Sequence, residues 1–391
     1  MLFSRASKKD VSFVCDIGSD TVSCAFVEFS DTPDRPLVLK TFTCSLSKKE
    51  KSLKAHLGPK KLLKLCFEDV ITRASKYAHE HSLSKPTLVH CTFAAPWYAS
   101  ESHQESIHKD NPEIFTRDMF ANLVRDAGDE LIKKSKDTSK SFKDYFDSGS
   151  HVIEKHSVSL MVNGYHVKNP FDKAIRDLNV SFYLTVIPVD VHRFVNEIIQ
   201  SMWSDTAVSM SSFALTHYAV AKRKDFLTIE NTAHIDVTGS ATEITLISGG
   251  SLINTVHIPI GKAHFRNRIE KGYGLESYMA SSLFDLYVKK ELSRTESANI
   301  SFLLSDIENE WKSACAKLNT THKSVSYVLS ADRSYIEYFK SLLLKSAHNE
   351  DLKDAKENVA GIERYNNFVN YQNQSDVDPF LSLSVAFTHN S

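Results

Sequence analysis

Two short segments carry the residue types that phosphate chemistry needs. Asp16-Ile-Gly-Ser-Asp-Thr and Asp236-Val-Thr-Gly-Ser-Ala-Thr-Glu each place an aspartate at the end of an apolar run, before a turn of small residues. Glycine, serine and threonine in such a turn let backbone N–H groups approach phosphate oxygens, and the aspartate beside them can hold a hydrated Mg²⁺. The candidate binding set is Asp16, Gly18 and Ser19 in the first segment, and Asp236, Gly239, Ser240 and Thr242 in the second. Asp16 and Asp236 are the candidate metal ligands. The two aspartates stand 220 residues apart, a spacing that predicts two similar lobes rather than a tandem repeat. Asp-x-Gly is also ordinary turn chemistry, so neither segment is diagnostic alone.

The elements around these segments follow from period and punctuation. Val11–Asp16 and Val22–Phe29 read as a hairpin, with a third strand at Leu37–Cys44. Leu63, Phe67, Val70, Ala74 and Tyr77 keep the three-to-four spacing of an amphipathic helix over Lys60–His81, and Thr87–Ala94 reads as a buried strand. Thr116 is placed to cap a helix over 116–136. Strands at His156–Val162 and Leu178–Ile187 flank an Asn163-Gly164 turn of the type I′ class. Helices follow at Val191–Trp203 and Ala214–Lys222. The second hairpin is Ala233–Val237 with Thr242–Ser248, continued by Leu252–Ile260. Helices at Leu275–Leu292 and Ala298–Leu318, a strand at Ser324–Leu329 and a helix at Tyr335–Leu344 complete the pattern. The charged, Asn-rich stretch through 377 reads as a loop, and LSLSVAF as a last strand or short helix.

Composition narrows the class. Of 391 residues 42% are hydrophobic, which excludes a disordered chain or a small stapled scaffold. Lys and Arg number 47 against 48 Asp and Glu, so no global charge grips nucleic acid or anionic lipid. The six cysteines form no Cys-x-x-Cys pair and read as buried small hydrophobes in a reducing compartment. The 17 histidines include no HExxH spacing. No apolar run approaches a spanning helix, and the N-terminal residues lack a signal-peptide core. The expected location is cytoplasmic.

Taken in order, the segments resemble the actin/Hsp70/sugar-kinase superfamily of actin-like ATPases, within it the branch of bacterial FtsA and PilM, closer to PilM-like type IV pilus assembly proteins. VCDIGSDTVSCAFVEF looks like the first phosphate hairpin of that family, and HIDVTGSATEITLISGGSLINTVHIPIGK like its second. SVSYVLSADRSYIEYFKSLL occupies the place of the adenosine motif. FTRDMFANLVRDAG through VNGYHVKNPFDKAIRDLNVSFYLTVIP is similar to the α+β subdomain inserted into the first lobe, with Asn169-Pro170-Phe171 where an Asn-Pro turn is usual. The resemblance implies an α/β, two-lobed actin-like (ribonuclease H-like, duplicated) fold, each lobe built on a mixed five-stranded sheet. Its expected divisions are 1–109 with 188–225 for the first lobe, 110–187 for the insert and 226–391 for the second lobe.

The resemblance also implies ATP with Mg²⁺ in the cleft, but this chain departs from the family pattern. Thr238 stands where the second loop usually has Gly, Glu243 where it usually has Asp, Ala331-Asp332 where the adenosine motif has a Gly pair, and Lys262 where a second Gly follows Gly261. Binding of ATP is therefore expected to be weak or absent. The region HCTFAAPWYASESH offers no carboxylate before Glu101 to orient an attacking oxygen, so no catalytic residue is assigned. The leading expectation is a PilM-like scaffold at the inner membrane of a pilus or secretion-type assembly. It would bind a short cytoplasmic peptide of a membrane protein, or a second copy of itself, and reach the membrane only through partners. An FtsA-like protein tethering FtsZ in cell division, and an ATPase or small-molecule kinase, are the alternatives.

Overall fold

Seven consecutive buried residues, Val11–Ile17, form the centre of the first sheet. A strand covered on both faces reads as a nearly continuous apolar run, and this one is broken only by Ser12 and Asp16. The computed structural model describes residues 11–29, 35–53, 57–137, 143–167, 169–223, 231–248, 251–316, 326–331, 335–346 and 360–389. The chain divides into two compact units, Met1–Arg223 with Tyr365–Ser391, and Lys224–Arg364.

In the first unit β1 (Val11–Ile17) and β2 (Thr21–Glu28) form the expected hairpin, with Asp16 opposite Ser23. β3 (Leu37–Ser45) pairs antiparallel with β2. After the helix Pro59–Glu80, β4 (Leu88–Phe93) runs parallel to β1. The insert follows, with β5 (Ala99–Ile114), the helix Arg117–Asp137, β6 (Ser150–Val162), β7 (Tyr165–His166) and β8 (Ala174–Pro188), in sheet order β5-β8-β6-β7. Thr116 caps its helix through a bond from Met119 N at 3.2 Å. Asn163 and Gly164 both take positive φ, 50° and 85°, as the type I′ turn requires. The helix Val189–Met202 leads to β9 (Ala207–Ser212), parallel to β4, and then to the helix Phe213–Arg223.

The second unit repeats this plan. β10 (Asn231–Val237), β11 (Thr242–Ser248) and β12 (Ser251–Ile258) form an antiparallel meander. The helices Lys262–Tyr273, Ser277–Val288 and Arg294–Ala316 precede β13 (Ser326–Ser330), which is parallel to β10. The helix Ile336–Ser346 and β14 (Ala360–Gly361) complete the unit. Its sheet order β12-β11-β10-β13-β14 reproduces β3-β2-β1-β4-β9 strand for strand. The chain then returns to the first unit, where β15 (Asn370–Tyr371) pairs with the edge of β3 and the helix Pro379–Thr388 packs over β1.

Period-two alternation sorts the two faces of each sheet. Phe13, Cys15 and Ile17 face one side, where Phe13 meets Phe26 at 4.8 Å and Trp203 at 5.0 Å. Val14 faces the other and packs with Leu381 and Val385 of the C-terminal helix. In the second unit Ala233, Ile235 and Val237 face the helical core with Phe265, Phe284, Leu304 and Trp311. The opposite register of β10, namely Thr232, His234 and Asp236, is polar yet equally buried.

The structure departs from the sequence reading in four places. The insert sheet begins at Ala99, not near 110, because β5 is a strand of Ser, Glu, His and Gln whose alternation is polar on both faces. β9 was not anticipated, since AVSMSS carries only Val208 and Met210 as periodic apolar residues. The helix Lys262–Tyr273 has just two buried apolar positions, Phe265 and Ile269, and was also missed. Residues from Tyr365 onward, assigned with 226–391 to the second lobe, group with the first unit, because the helix Pro379–Thr388 buries Leu381, Leu383 and Val385 there. Asp332 and the Gly249-Gly250 turn lie outside the described residues.

Candidate functional site

The two hairpins bring each predicted set together locally. In the first, Gly18 N donates to Thr21 O at 2.9 Å and closes the turn. Three neighbours fix that turn from outside. Trp97 Nε1 donates to Gly18 O at 2.9 Å, Ala94 N to Ile17 O at 3.0 Å, and Leu46 N to Asp20 O at 2.8 Å. Trp97 is therefore more than a core residue. Its indole N–H holds the glycine carbonyl, and leaves the turn set by tertiary contacts as well as by its own sequence.

Asp16 ends β1 with 6% of its surface exposed, opposite Ser23 on β2 and Thr92 on β4. Its Oδ1 receives no hydrogen bond from the described residues. Burial raises the Asp16 pKa well above the usual carboxylate range, and the nearby Asp378 carboxylate raises it further. Asp378 is the N-cap of the C-terminal helix, its Oδ1 accepting from Phe380 N at 3.0 Å and Leu381 N at 3.2 Å. Sequence reasoning passed over Asp378. The signal was there, since Asp-Pro before an apolar run is a cap followed by proline at the first helical position.

Below Asp16 the same sheet carries a polar row, buried except at Ser209. His90 Nδ1 lies 3.1 Å from Ser209 Oγ and its Nε2 3.0 Å from Ser211 Oγ, while Ser211 bonds Thr216 at 2.8 Å. Burial lowers the His90 pKa to about 4, which keeps the ring neutral at physiological pH. The neighbouring Ser212 donates to Glu154 of the insert at 2.6 Å, and its hydroxyl also accepts Leu215 N at 3.3 Å as the cap of the helix Phe213–Arg223. These bonds tie the insert to the first lobe.

The second hairpin closes on itself. Thr238 N donates to Ala241 O at 2.9 Å; the Thr238 hydroxyl also donates to that oxygen at 2.9 Å and accepts Ala241 N at 3.2 Å. Lys262 N and Ala263 N, at the start of the following helix, donate to Thr238 O at 3.0 Å and Gly239 O at 2.8 Å. Gly261 is required for this approach. A Cβ there would lie 2.5 Å from Thr238 O and 2.6 Å from both Ala241 N and Gly239 O. Thr242, a predicted binding residue, is fully buried; its hydroxyl donates to Ile260 O at 2.6 Å and accepts Trp311 Nε1 at 3.0 Å. Ser240 sits half-buried in the turn.

Asp236 is 1% exposed and registers with Glu243 on β11 and Ser330 on β13. Glu243 accepts from Thr245 Oγ1 at 3.3 Å, and its Oε2 lies 3.5 Å from His257 Nε2. His234, two residues before Asp236, bonds Ser330 Oγ at 2.7 Å, and burial followed by the Arg364 charge lowers its pKa to about 3.

The fit to ATP with Mg²⁺ differs between the hairpins. Asp16 offers a buried carboxylate oxygen to which no described residue donates, which suits a hydrated cation. The second turn commits Thr238 N, Ala241 N and the first helical N–H groups to protein oxygens, and a phosphate would have to displace those bonds. Among the described residues no group of three His, Cys, Asp or Glu side chains is placed to hold a metal ion. Glu101 pairs with Lys134 at 2.8 Å and is one-third exposed. All six cysteines are buried free thiols, as expected.

No protein-family model matches the chain, and no curated protein matches it. Among solved structures the chain is similar to the PilM–PilN type IV pilus biogenesis complex, at 12% identity and TM-score 0.64 over 98% of this chain and 99% of that one. It is also similar to the ethanolamine utilization protein EutJ from Carboxydothermus hydrogenoformans, at 10% identity and TM-score 0.43 over 96% and 89%. A third is a Bacteroides thetaiotaomicron protein with actin-like ATPase fold and unknown function, at 12% identity and TM-score 0.43 over 98% and 99%. With its duplicated strand order and its inserted sheet, the chain has the two-domain α/β fold of the actin-like ATPases.

Proposed function

We propose that this chain is a non-catalytic scaffold of the PilM-like kind, which recruits an extended peptide of a protein partner through its first lobe and insert. The observation that carries this reading is the self-closed turn 238–241. Thr238 N and Ala241 N bond within the turn, and Lys262 N and Ala263 N of the following helix start bond to Thr238 O and Gly239 O, so these four N–H groups are committed to protein oxygens beside the place where a phosphate would sit. Breaking such bonds costs about 1 kcal/mol each, which weakens nucleotide binding. The solved PilM structure is a complex with PilN, which supports a protein partner for the same fold. No helix among the described residues is long and apolar enough to cross a membrane. In this reading the protein works in the cytoplasm and meets the inner membrane through its partner.

One observation favours retention of a nucleotide. Asp16 keeps a buried oxygen without a donor among the described residues, so a weakly held Mg-ATP would sit against the first hairpin. Calorimetry with Mg-ATP and a phosphate-release assay decide between the two. The scaffold reading expects a dissociation constant above about 1 μM and no phosphate release. Sub-micromolar binding with steady release overturns it in favour of an ATPase.

A further inference from the structure

The sheet of the insert ends in an open edge. β5 pairs with β8 continuously from Ala99 opposite Val186 to His108 opposite Asp177, and no described strand pairs with its other side. Its residues are half-buried to exposed throughout. Ten paired residues present roughly 33 Å of ladder edge. An edge of that length is a template for another strand unless something blocks it.

Alternation divides the side chains along this edge. Ser100, Ser102, Gln104, Ser106 and His108 share one face, where Tyr183 donates to Ser100 at 2.8 Å and Ser106 donates to Asn179 at 2.6 Å. Ala99, Glu101, His103, Glu105 and Ile107 share the face toward the helix Arg117–Asp137. Ala99 and Ile107 pack against the insert core. Between them, Glu101 lies 2.8 Å from Lys134, and Lys134 lies 3.0 Å from Glu130. His103 lies 3.3 Å from Glu105 and 3.8 Å from Glu130. Three carboxylates thus share Lys134 and His103, with the Lys133 charge also within reach of Glu130. The strip is acidic by count, three carboxylates to two lysines, and the Glu105 side chain is 43% exposed.

We infer that the β5 edge accepts an extended basic segment of a protein partner as an added strand. Main-chain bonds to the free edge supply the grip. Cross-strand neighbours on one face lie close enough for opposite charges to pair. The bound segment therefore carries Lys or Arg at two positions four residues apart, facing Glu101 and Glu105, with apolar residues two positions outside them beside Ala99 and Ile107. This inference rests on the scaffold reading and names the chemistry of its partner.

The test uses the full chain and four synthetic peptides of about ten residues, followed by fluorescence anisotropy. One alternates Thr and Val around two Lys four positions apart, the second replaces both Lys by Glu, and the third and fourth are the Lys peptide N-methylated at one or the other alternating set of residues. The Lys peptide is expected to bind saturably and about tenfold tighter than the Glu peptide. One N-methyl set should abolish binding while the other leaves it, since a strand turns only alternate N–H groups to its neighbour. Glu105→Lys should invert the preference toward the Glu peptide. Equal binding of both peptides, no binding, or indifference to both N-methyl sets overturns the inference and leaves the charges as guards against edge pairing. Peptide failure without ATP turnover removes the edge alone, whereas ATP turnover removes the scaffold reading itself.

Discussion

Asp16, at the end of the first strand, lies within electrostatic reach of Asp378, the residue whose carboxylate caps the C-terminal helix. The two are 362 positions apart in the chain, and the relationship follows from alternation. Val14 and Asp16 point to the same side of β1, and that side is covered by the helix Pro379–Thr388 with Leu381 and Val385 against Val14. The face that buries Val14 therefore brings a second carboxylate up to Asp16. Two acids in one dry neighbourhood favour the protonated form of the one with no donor.

The first prediction concerns the pH dependence of stability. The folded state raises the Asp16 pKa above its unfolded value, so it holds the proton more tightly. The resulting contribution is fully present below the unfolded carboxylate pKa and is lost as pH rises toward the folded value. Asp16→Asn cannot ionise and escapes that loss. It should match the parent near pH 4 and exceed it at pH 7, with a correspondingly higher Tm. Thermal melts across that range check the slope. A gap independent of pH would show that the substitution acts through packing alone.

Asp378 separates cap from charge. Asp378→Asn keeps an oxygen for Phe380 N and Leu381 N while removing the charge beside Asp16, so stability at pH 7 should hold or rise. Asp378→Ala loses the cap and should cost about 1 kcal/mol. In an Asp16→Asn background the advantage of Asp378→Asn over the parent should vanish. Additive effects in this double-mutant cycle would mean the two carboxyls do not interact.

Gly261→Ala should be among the most damaging single-methyl additions in the second unit. All three nearest atoms, Thr238 O, Ala241 N and Gly239 O, belong to the backbone, so no side chain can rotate away. A loss of about 2–4 kcal/mol is expected. Urea titration measures it, and a change under about 0.5 kcal/mol would show that the turn and helix start can move apart.

The boundary of the insert can be tested by excision. Ala99 and Val186 are cross-strand partners, so removing 99–186 and bridging Tyr98 to Ile187 with a short Gly-Ser linker joins points about 5 Å apart. The shortened chain should melt cooperatively, with a lower Tm because Ser212 loses Glu154 and Trp97 loses its ring contact with Tyr145. Cutting only 112–187 strands most of β5 without β8, and that protein should aggregate. Size-exclusion chromatography and circular dichroism of the pair check this. Equal behaviour of the two deletions would move the boundary back toward 110.

Much of the architecture was legible because local pattern and tertiary role agree. The hairpin β1–β2, the helix Pro59–Glu80 with Leu63, Phe67, Val70 and Ala74 buried, and the turn Asn163-Gly164 each obey one periodicity or one dihedral demand. β5 was not legible, because an edge strand with polar residues on both faces has no period to read. Asp16 and Asp236 were picked by type and position, and each lies buried near the end of its strand. Thr242 was assigned to a ligand by its place in the motif, yet Ile260 and Trp311 occupy its hydroxyl.

The sequence by itself determined the two aspartate turns, the alternation that buries both faces of the central strands, and the duplicated order of elements around them. These are set by residues a few positions apart, whose steric and solvation preferences act before any distant contact forms. Only the tertiary structure decided the fate of the turns. Gly261 brings a helix start onto Thr238 and Gly239, Trp97 holds Gly18, and the segment after Tyr365 returns to set Asp378 beside Asp16. Each of these joins residues far apart in the chain, and spacing alone carries no record of which buried face a returning segment will cover.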